Sequence, residues 1–84
     1  MNEDIGPIFD EYISKRLSEA DKLGWTHLIL RAGLIHKDLQ FQDRLPSCSQ
    51  SMRRAFVEGY DQVLHSPPRG NGTTLTILYQ LPRR

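Results

Sequence analysis

The chain has a single cysteine, Cys48, which cannot form a disulfide within the chain. A lone thiol agrees with a reducing compartment. No apolar run approaches the ~20 residues that a membrane helix needs, and the first four residues include two acids, Glu3 and Asp4, where a signal peptide is basic. We therefore expect a cytoplasmic protein without a membrane partner.

Paired metal ligands are also missing from the sequence. Cys48, His27, His36 and His65 show neither a Cys-x-x-Cys nor a short His-to-His spacing. No glycine-rich loop stands before a helix with the lysine that a nucleotide site requires. A domain of 84 residues also has little room for a deep pocket. We expect no metal, no cofactor and no enzymatic activity.

The net charge of +1 conceals an uneven distribution. Residues 1–43 contain five Lys or Arg and eight Asp or Glu, a balance of −3, whereas residues 44–84 contain six Arg and two acids, a balance of +4. Arginine carries a planar fork of donors that suits phosphate and guanine. This half therefore favours either an anionic partner or a plain solvated surface.

The first half reads as a helix, a short strand and a second helix within a single domain, residues 1–84. Apolar residues recur at three- and four-residue steps over about residues 6–23, and Gly24 suits a left-handed stop. The β-rich segment 25–31 predicts a short strand, with Trp25 as a core anchor. Residues 34–39 predict the second helix, after which Phe41 should turn back into the core.

A third helix is predicted to open at Pro46 or Ser47 and to extend to about residue 58. Proline fits a first helical turn, and serine caps exposed amides. At 100° per residue, one side is apolar and includes Cys48, Met52 and Phe56. The other side is polar and consists of Ser47, Gln50, Arg53 and Arg54.

Two strands and a basic loop complete the chain. Segments 61–65 and 74–81 are strand-like, and Leu75, Ile77, Tyr79 and Leu81 alternate with more polar residues, which predicts one buried face. Between them, residues 66–73 combine two prolines with glycines at positions 70 and 72, a composition typical of a stiff, tight reversal.

This order of elements resembles a winged helix-turn-helix domain over nearly the whole chain. The resemblance implies an α+β fold in which the short strand joins the hairpin to make a three-stranded antiparallel sheet. It also implies a partner, double-stranded DNA, with the third helix (46–58) in the major groove and the 66–73 wing on the backbone or minor groove. The resemblance implies that DNA is bound by Ser47, Gln50, Arg53, Arg54, Arg69 and Asn71. We add the nearby Arg44 to this set.

The resemblance leaves other functions open. The domain is expected to serve as a transcriptional regulator or as a DNA-targeting module. The small net charge and acidic first helix equally suit a winged-helix protein interaction module, with a homodimer or a protein partner and no DNA. A small enzyme subunit or inhibitor is a third alternative, favoured only by the size of the chain.

Overall fold

The computed structural model describes residues 5–41, 44–67 and 73–83. The elements follow the order α-β-α-α-β-β, which confirms the predicted α+β fold. Their bounds are α1 (Gly6–Lys22), β1 (His27–Arg31), α2 (Ala32–Asp38), α3 (Leu45–Ala55), β2 (Gln62–His65) and β3 (Thr76–Gln80).

Helix α1 forms because its apolar residues share one side, where Phe9, Ile13 and Leu17 are buried. Pro7 lies in the first turn, where its missing N–H costs nothing. At the other end Gly24 has φ of 80°, its amide donates to the Asp21 carbonyl (3.0 Å), and the Trp25 amide donates to the Ala20 carbonyl (3.1 Å). This pair of bonds is a Schellman stop, and it confirms the predicted role of Gly24.

The three strands form one antiparallel sheet in the order β1-β3-β2. Leu28 and Leu30 of β1 face the helices, as do Ile77 and Tyr79 of β3, and all four are buried. The predicted alternation of β3 is therefore confirmed. Strand β2 is different, because all four of its residues are exposed and a register shift interrupts its pairing between Val63 and His65.

Helices α1, α2 and α3 cover the inner face of the sheet and close the core. Helix α3 contributes Cys48 and Met52, both fully buried, and Phe41 packs on Phe9 with ring centroids 5.2 Å apart. These contacts confirm the predicted positions of Cys48 and Phe41. Helix α3 begins at Leu45 with Pro46 in its first turn, as predicted, but its N-cap Arg44 makes no side-chain bond, so the predicted serine cap is wrong. The predicted extent to residue 58 is also wrong, because the backbone is already extended at Phe56 and the helix ends at Ala55.

Trp25 is not the predicted core anchor, because 51% of its surface is exposed. The reason lies in the turn that ends α1. The Trp25 amide closes the Schellman stop, and the first buried residue of β1 is Leu28, three positions later. Trp25 is therefore placed at the rim of the sheet before the strand enters the core. Within the described ranges, no helix has the length and apolarity to cross a membrane.

Helix α2 begins against the strand that returns from the hairpin. The Ala32 and Gly33 amides donate to the carbonyls of Leu75 and Thr73, both at 2.9 Å, so backbone oxygens replace a side-chain cap. A Cβ on Gly33 would lie 3.0 Å from both the Cβ and the carbonyl oxygen of Thr73. Only glycine allows this approach without a shift of the chain.

We predict that Gly33→Ala lowers the free energy of unfolding, measured by urea denaturation, by up to about 2 kcal/mol. Alanine gains about 1 kcal/mol in helix propensity, but the contact with Thr73 costs about 1–3 kcal/mol. Ser18→Ala is the control, because it also raises helix propensity but lies at an exposed position of α1 and creates no contact with Thr73. A Gly33→Ala chain more stable than the parent would show that the Thr73 segment moves freely.

Candidate nucleic-acid interface

Helix α3 has one buried side and one exposed side. Cys48, Ser49, Ser51 and Met52 are buried, whereas Gln50 and Arg53 are exposed, one helical turn apart. Ser47 is half-buried. The predicted polar side therefore exposes the amide of Gln50 and the guanidinium of Arg53, while Ser47 and Arg54 lie at its edge toward α1.

The start of α3 is fixed by a histidine on α2. The Arg44 amide donates to Nε2 of His36 at 3.1 Å, which joins α2 to the residue before α3. The side chain of Arg44 is exposed next to this bond. Arg44 and Arg53 thus mark opposite ends of α3, separated by roughly 13 Å of helix rise.

Arg54 joins α3 to α1. Its Nη2 lies 3.0 Å from Oδ1 of Asp10 and 2.8 Å from Oγ of Ser51, and the Ser51 hydroxyl donates to the Gly6 carbonyl at 3.2 Å. Both charged side chains are about half exposed, 52% for Arg54 and 46% for Asp10. Arg54 remains at the surface, but it forms an ion pair with Asp10, which the sequence did not indicate.

Three of the predicted DNA-binding residues meet at one open hollow between α3 and the start of α1. Ser47, Gln50 and Arg54 line it together with Pro7 and Asp10. Arg44 and Arg53 do not line this hollow. The predicted set is therefore divided between the hollow, the outward face of α3 and the entry to α3.

Two predicted residues of the wing, Arg69 and Asn71, lie outside the described residues. On either side of them the structure describes Pro67, which is buried, and Thr73, whose carbonyl accepts the Gly33 amide. The base of the hairpin is thereby attached to the first turn of α2.

The most extensive polar network lies at the other end of α3 and centres on Asp61. Its Oδ1 accepts from the Gln80 amide (2.9 Å) and from Nη1 of Arg83 (2.6 Å). Its Oδ2 accepts from the Val57 amide (2.7 Å) and from Nη2 of Arg83 (3.0 Å). One carboxylate therefore joins the turn after α3, the end of β3 and the segment that follows β3. We call these four residues the Asp61 network.

Arg83 and Tyr79 also anchor the last turn of α3. Nη2 of Arg83 donates to the Ala55 carbonyl at 2.7 Å, and the Tyr79 hydroxyl donates to the Met52 carbonyl at 2.8 Å. Carbonyls in a last helical turn lack helical partners, so these bonds satisfy groups that burial would otherwise penalise. The Arg83 guanidinium also lies over the rings of Tyr60 (5.7 Å) and Tyr79 (5.4 Å).

These contacts have opposite consequences for two pKa values. Burial acts to raise the pKa of Asp61, but hydrogen bonds from Arg83, Val57 and Gln80 outweigh it and hold that pKa below the ordinary 3.8. For Tyr79, burial dominates and raises the pKa far above 10.0. Asp61 is thus held as a carboxylate and Tyr79 as a neutral donor.

The sequence pattern missed the Asp61 network. No acid stands between Asp61 and Arg83 in the sequence, yet Arg83 pairs with the Asp61 carboxylate, whose side chain has no exposed surface. No local signal marks the pair, because its members stand 22 positions apart. Arg83 is consequently a half-buried residue whose guanidinium is already paired within the fold.

Cys48 is a buried free thiol. Burial raises the pKa of the Cys48 thiol to about 12, so little nucleophilic thiolate exists at neutral pH. Within residues 5–41, 44–67 and 73–83, no three His, Cys, Asp or Glu residues are grouped so as to hold a metal ion.

The chain matches no protein family model, no curated protein and no solved structure. Its class is therefore defined by its own architecture. It is an α+β domain of three helices and a three-stranded antiparallel sheet, a topology compatible with a winged helix.

We predict that Arg83→Ala lowers the free energy of unfolding by about 2–4 kcal/mol, because it leaves a buried carboxylate without its cation. Arg54→Ala serves as the matched control. It removes the same side chain from a half-exposed pair and should cost at most about 1 kcal/mol. Urea denaturation of both variants measures the difference.

The same network predicts a pH dependence of stability. Because the pKa of Asp61 is lower in the folded chain than its ordinary value, its contribution is present above about pH 4 and is lost as pH falls through the folded pKa. Urea denaturation at several pH values should show a shallower acid loss for Arg83→Ala than for the parent. Parallel pH profiles would contradict the assignment.

Proposed function

We propose that the chain is a small winged-helix DNA-binding domain in which α3 enters the major groove and the β2–β3 hairpin contacts the backbone or the minor groove. The observation that carries the proposal is the two-sided character of α3. Its buried side docks on the core, and Gln50 and Arg53 are presented outward. Glutamine can bond two atoms of adenine, and arginine two atoms of guanine.

The positions of the remaining cations suit this docking. A major groove about 12 Å wide is flanked by phosphates on both sides. Arg44 lies at the start of α3, roughly 13 Å of helix rise from Arg53 at its end, so Arg44 can reach a flanking phosphate while Gln50 and Arg53 face the bases. We assign Arg44 to phosphate contact and Gln50 and Arg53 to base edges. Ser47, at the half-buried edge of α3, is assigned a phosphate contact.

Arg54 has a partner in the free chain, and the energy of that pair decides whether DNA can compete for it. Its contact with Asp10 is half exposed, and such pairs contribute only about 0.2–1 kcal/mol. Exchange of this carboxylate for a phosphate therefore costs little. Arg54 stays in the proposed interface as a residue that changes partner on binding. Arg69 and Asn71 stay in it as predictions from the sequence.

A winged-helix protein interaction module without DNA binding is the second candidate. Two observations favour it. Arg54 and Arg83 are both paired with acids, which reduces the cationic surface. Large apolar side chains are also exposed at both edges of the sheet, among them Ile29 on β1 and Leu64 on β2.

We predict that the chain binds duplex DNA with an affinity that falls linearly with salt concentration on logarithmic axes, at a slope near −0.9 for each phosphate contacted. Gln50→Ala and Arg53→Ala should each cost about 1–3 kcal/mol on a preferred sequence. Arg44→Ala should weaken all sequences alike and reduce the slope by about 1. Fluorescence anisotropy at several salt concentrations measures these effects.

Lys15→Ala is the matched control, because Lys15 is an exposed cation on α1 outside the proposed interface. It should leave the affinity nearly unchanged. Absence of binding at low salt, or equal losses for Lys15→Ala and Arg53→Ala, would refute the α3 interface. Dimerisation alone decides nothing, since twofold proteins also read paired half-sites.

A further inference from the structure

Strand β1 is an outer strand of the sheet, and half of its backbone groups point away from the sheet. The Thr26 carbonyl accepts from the Leu81 amide, and the Ala32 amide donates to the Leu75 carbonyl. Because bonding residues alternate along an antiparallel pair, Leu28 and Leu30 also direct their backbone toward β3. His27, Ile29 and Arg31 therefore direct their backbone groups outward, and no described strand lies on that outer side of β1.

A groove runs beside this outer edge. Two adjoining hollows share Arg16 and Ile29, one extending to Trp25 and His27 and the other to Leu34 and Lys37. Three large apolar side chains stand along it with about half of their surface exposed: Trp25 at 51%, Ile29 at 48% and Leu34 at 59%. An open strand edge flanked by apolar side chains is a template for strand addition.

The groove is also cationic. Arg16, Arg31 and Lys37 line it, and Asp38 is the one acid among the residues that line the two hollows. Asp38 is already engaged, because its Oδ2 accepts from the Tyr12 hydroxyl at 2.6 Å. A segment bound here would meet more positive than negative charge.

We propose that the β1 edge groove, defined by Arg16, Trp25, Ile29, Arg31, Leu34 and Lys37, binds an extended acidic segment of a partner polypeptide, which adds to the sheet as a fourth strand. The outward amides and carbonyls of His27, Ile29 and Arg31 bond the backbone of that segment. Alternate apolar side chains of the segment meet Trp25, Ile29 and Leu34. Its carboxylates meet the groove's cations.

Charge argues against a second copy of this chain as the occupant. A twofold pairing of β1 with β1 brings the same surface of each copy together. It would set Arg16, Arg31 and Lys37 against the same cations of the other copy. Nucleic acid would satisfy those cations, but it uses neither the outward backbone groups nor the apolar side chains of Ile29 and Leu34.

The test uses a peptide of about twelve residues in which valine alternates with glutamate and threonine, a length that covers a strand with its flanks. Trp25 is the one tryptophan of the chain and lies in the groove, so its fluorescence reports binding. We expect a blue shift on binding, and slowed hydrogen exchange at the amides of His27, Ile29 and Arg31. The same peptide with lysine in place of glutamate should bind at least about tenfold more weakly.

Charge reversal in the protein gives an independent measurement. Arg31→Glu with Lys37→Glu should weaken the acidic peptide about tenfold or more and strengthen the lysine peptide. Lys15→Glu with Lys22→Glu makes the same change of charge outside the groove and should alter neither affinity greatly. Since the two peptides are also compared on the unaltered chain, the test does not depend on the folding of any variant.

Four results would overturn the proposal. The first two are equal binding of the two peptides, and a Trp25 fluorescence shift without slowed exchange of the three amides. The other two are slowed exchange that increases with protein concentration when no peptide is present, and slowed exchange of these amides on addition of duplex DNA. The third would assign the edge to a second copy, and the fourth to nucleic acid. None bears on DNA binding through α3, which is measured by the separate titration.

Discussion

The arrangement of this domain depends on one buried carboxylate, that of Asp61. Four donors converge on it, from the turn after α3, from β3 and from the segment after β3. A buried carboxylate without partners is strongly unfavourable and would take up a proton. The carboxylate form of Asp61 therefore requires that the three segments stay together. The network thereby sets the position of the end of α3 relative to the hairpin strands.

This constraint connects the fold to the proposed function. The start of α3 is fixed by His36 and the packing of Cys48, and its end by Asp61, Tyr79 and Arg83. A helix held at both ends presents Gln50 and Arg53 in one orientation to the surroundings. Preordered side chains lose less entropy on binding, so this rigidity favours an interface on α3. The β1 edge, in contrast, lies beyond the network, and no described strand bonds its outward backbone groups.

Local patterns predicted the elements well, because the period of the apolar residues and the conformations of Gly24 and Pro7 are local properties. The alternation of Leu75, Ile77 and Tyr79 predicted β3, and the resemblance to a winged helix-turn-helix domain implied the three-stranded antiparallel sheet. Contacts between distant positions were beyond local patterns. The partners of Arg54 and Arg83 stand 44 and 22 positions away, and neither helical periodicity nor charge indicates a contact over such a distance. Trp25 was misplaced because hydrophobicity does not reveal where a turn directs a side chain.

The most direct measurement of the central claim is hydrogen exchange at two amides, those of Val57 and Gln80. They belong to different segments but bond the same carboxylate. If Asp61 holds these segments as one unit, both amides open with the same free energy in the parent chain, and both lose protection together in Arg83→Ala. Independent exchange of the two amides, or unchanged protection in Arg83→Ala, would contradict the account.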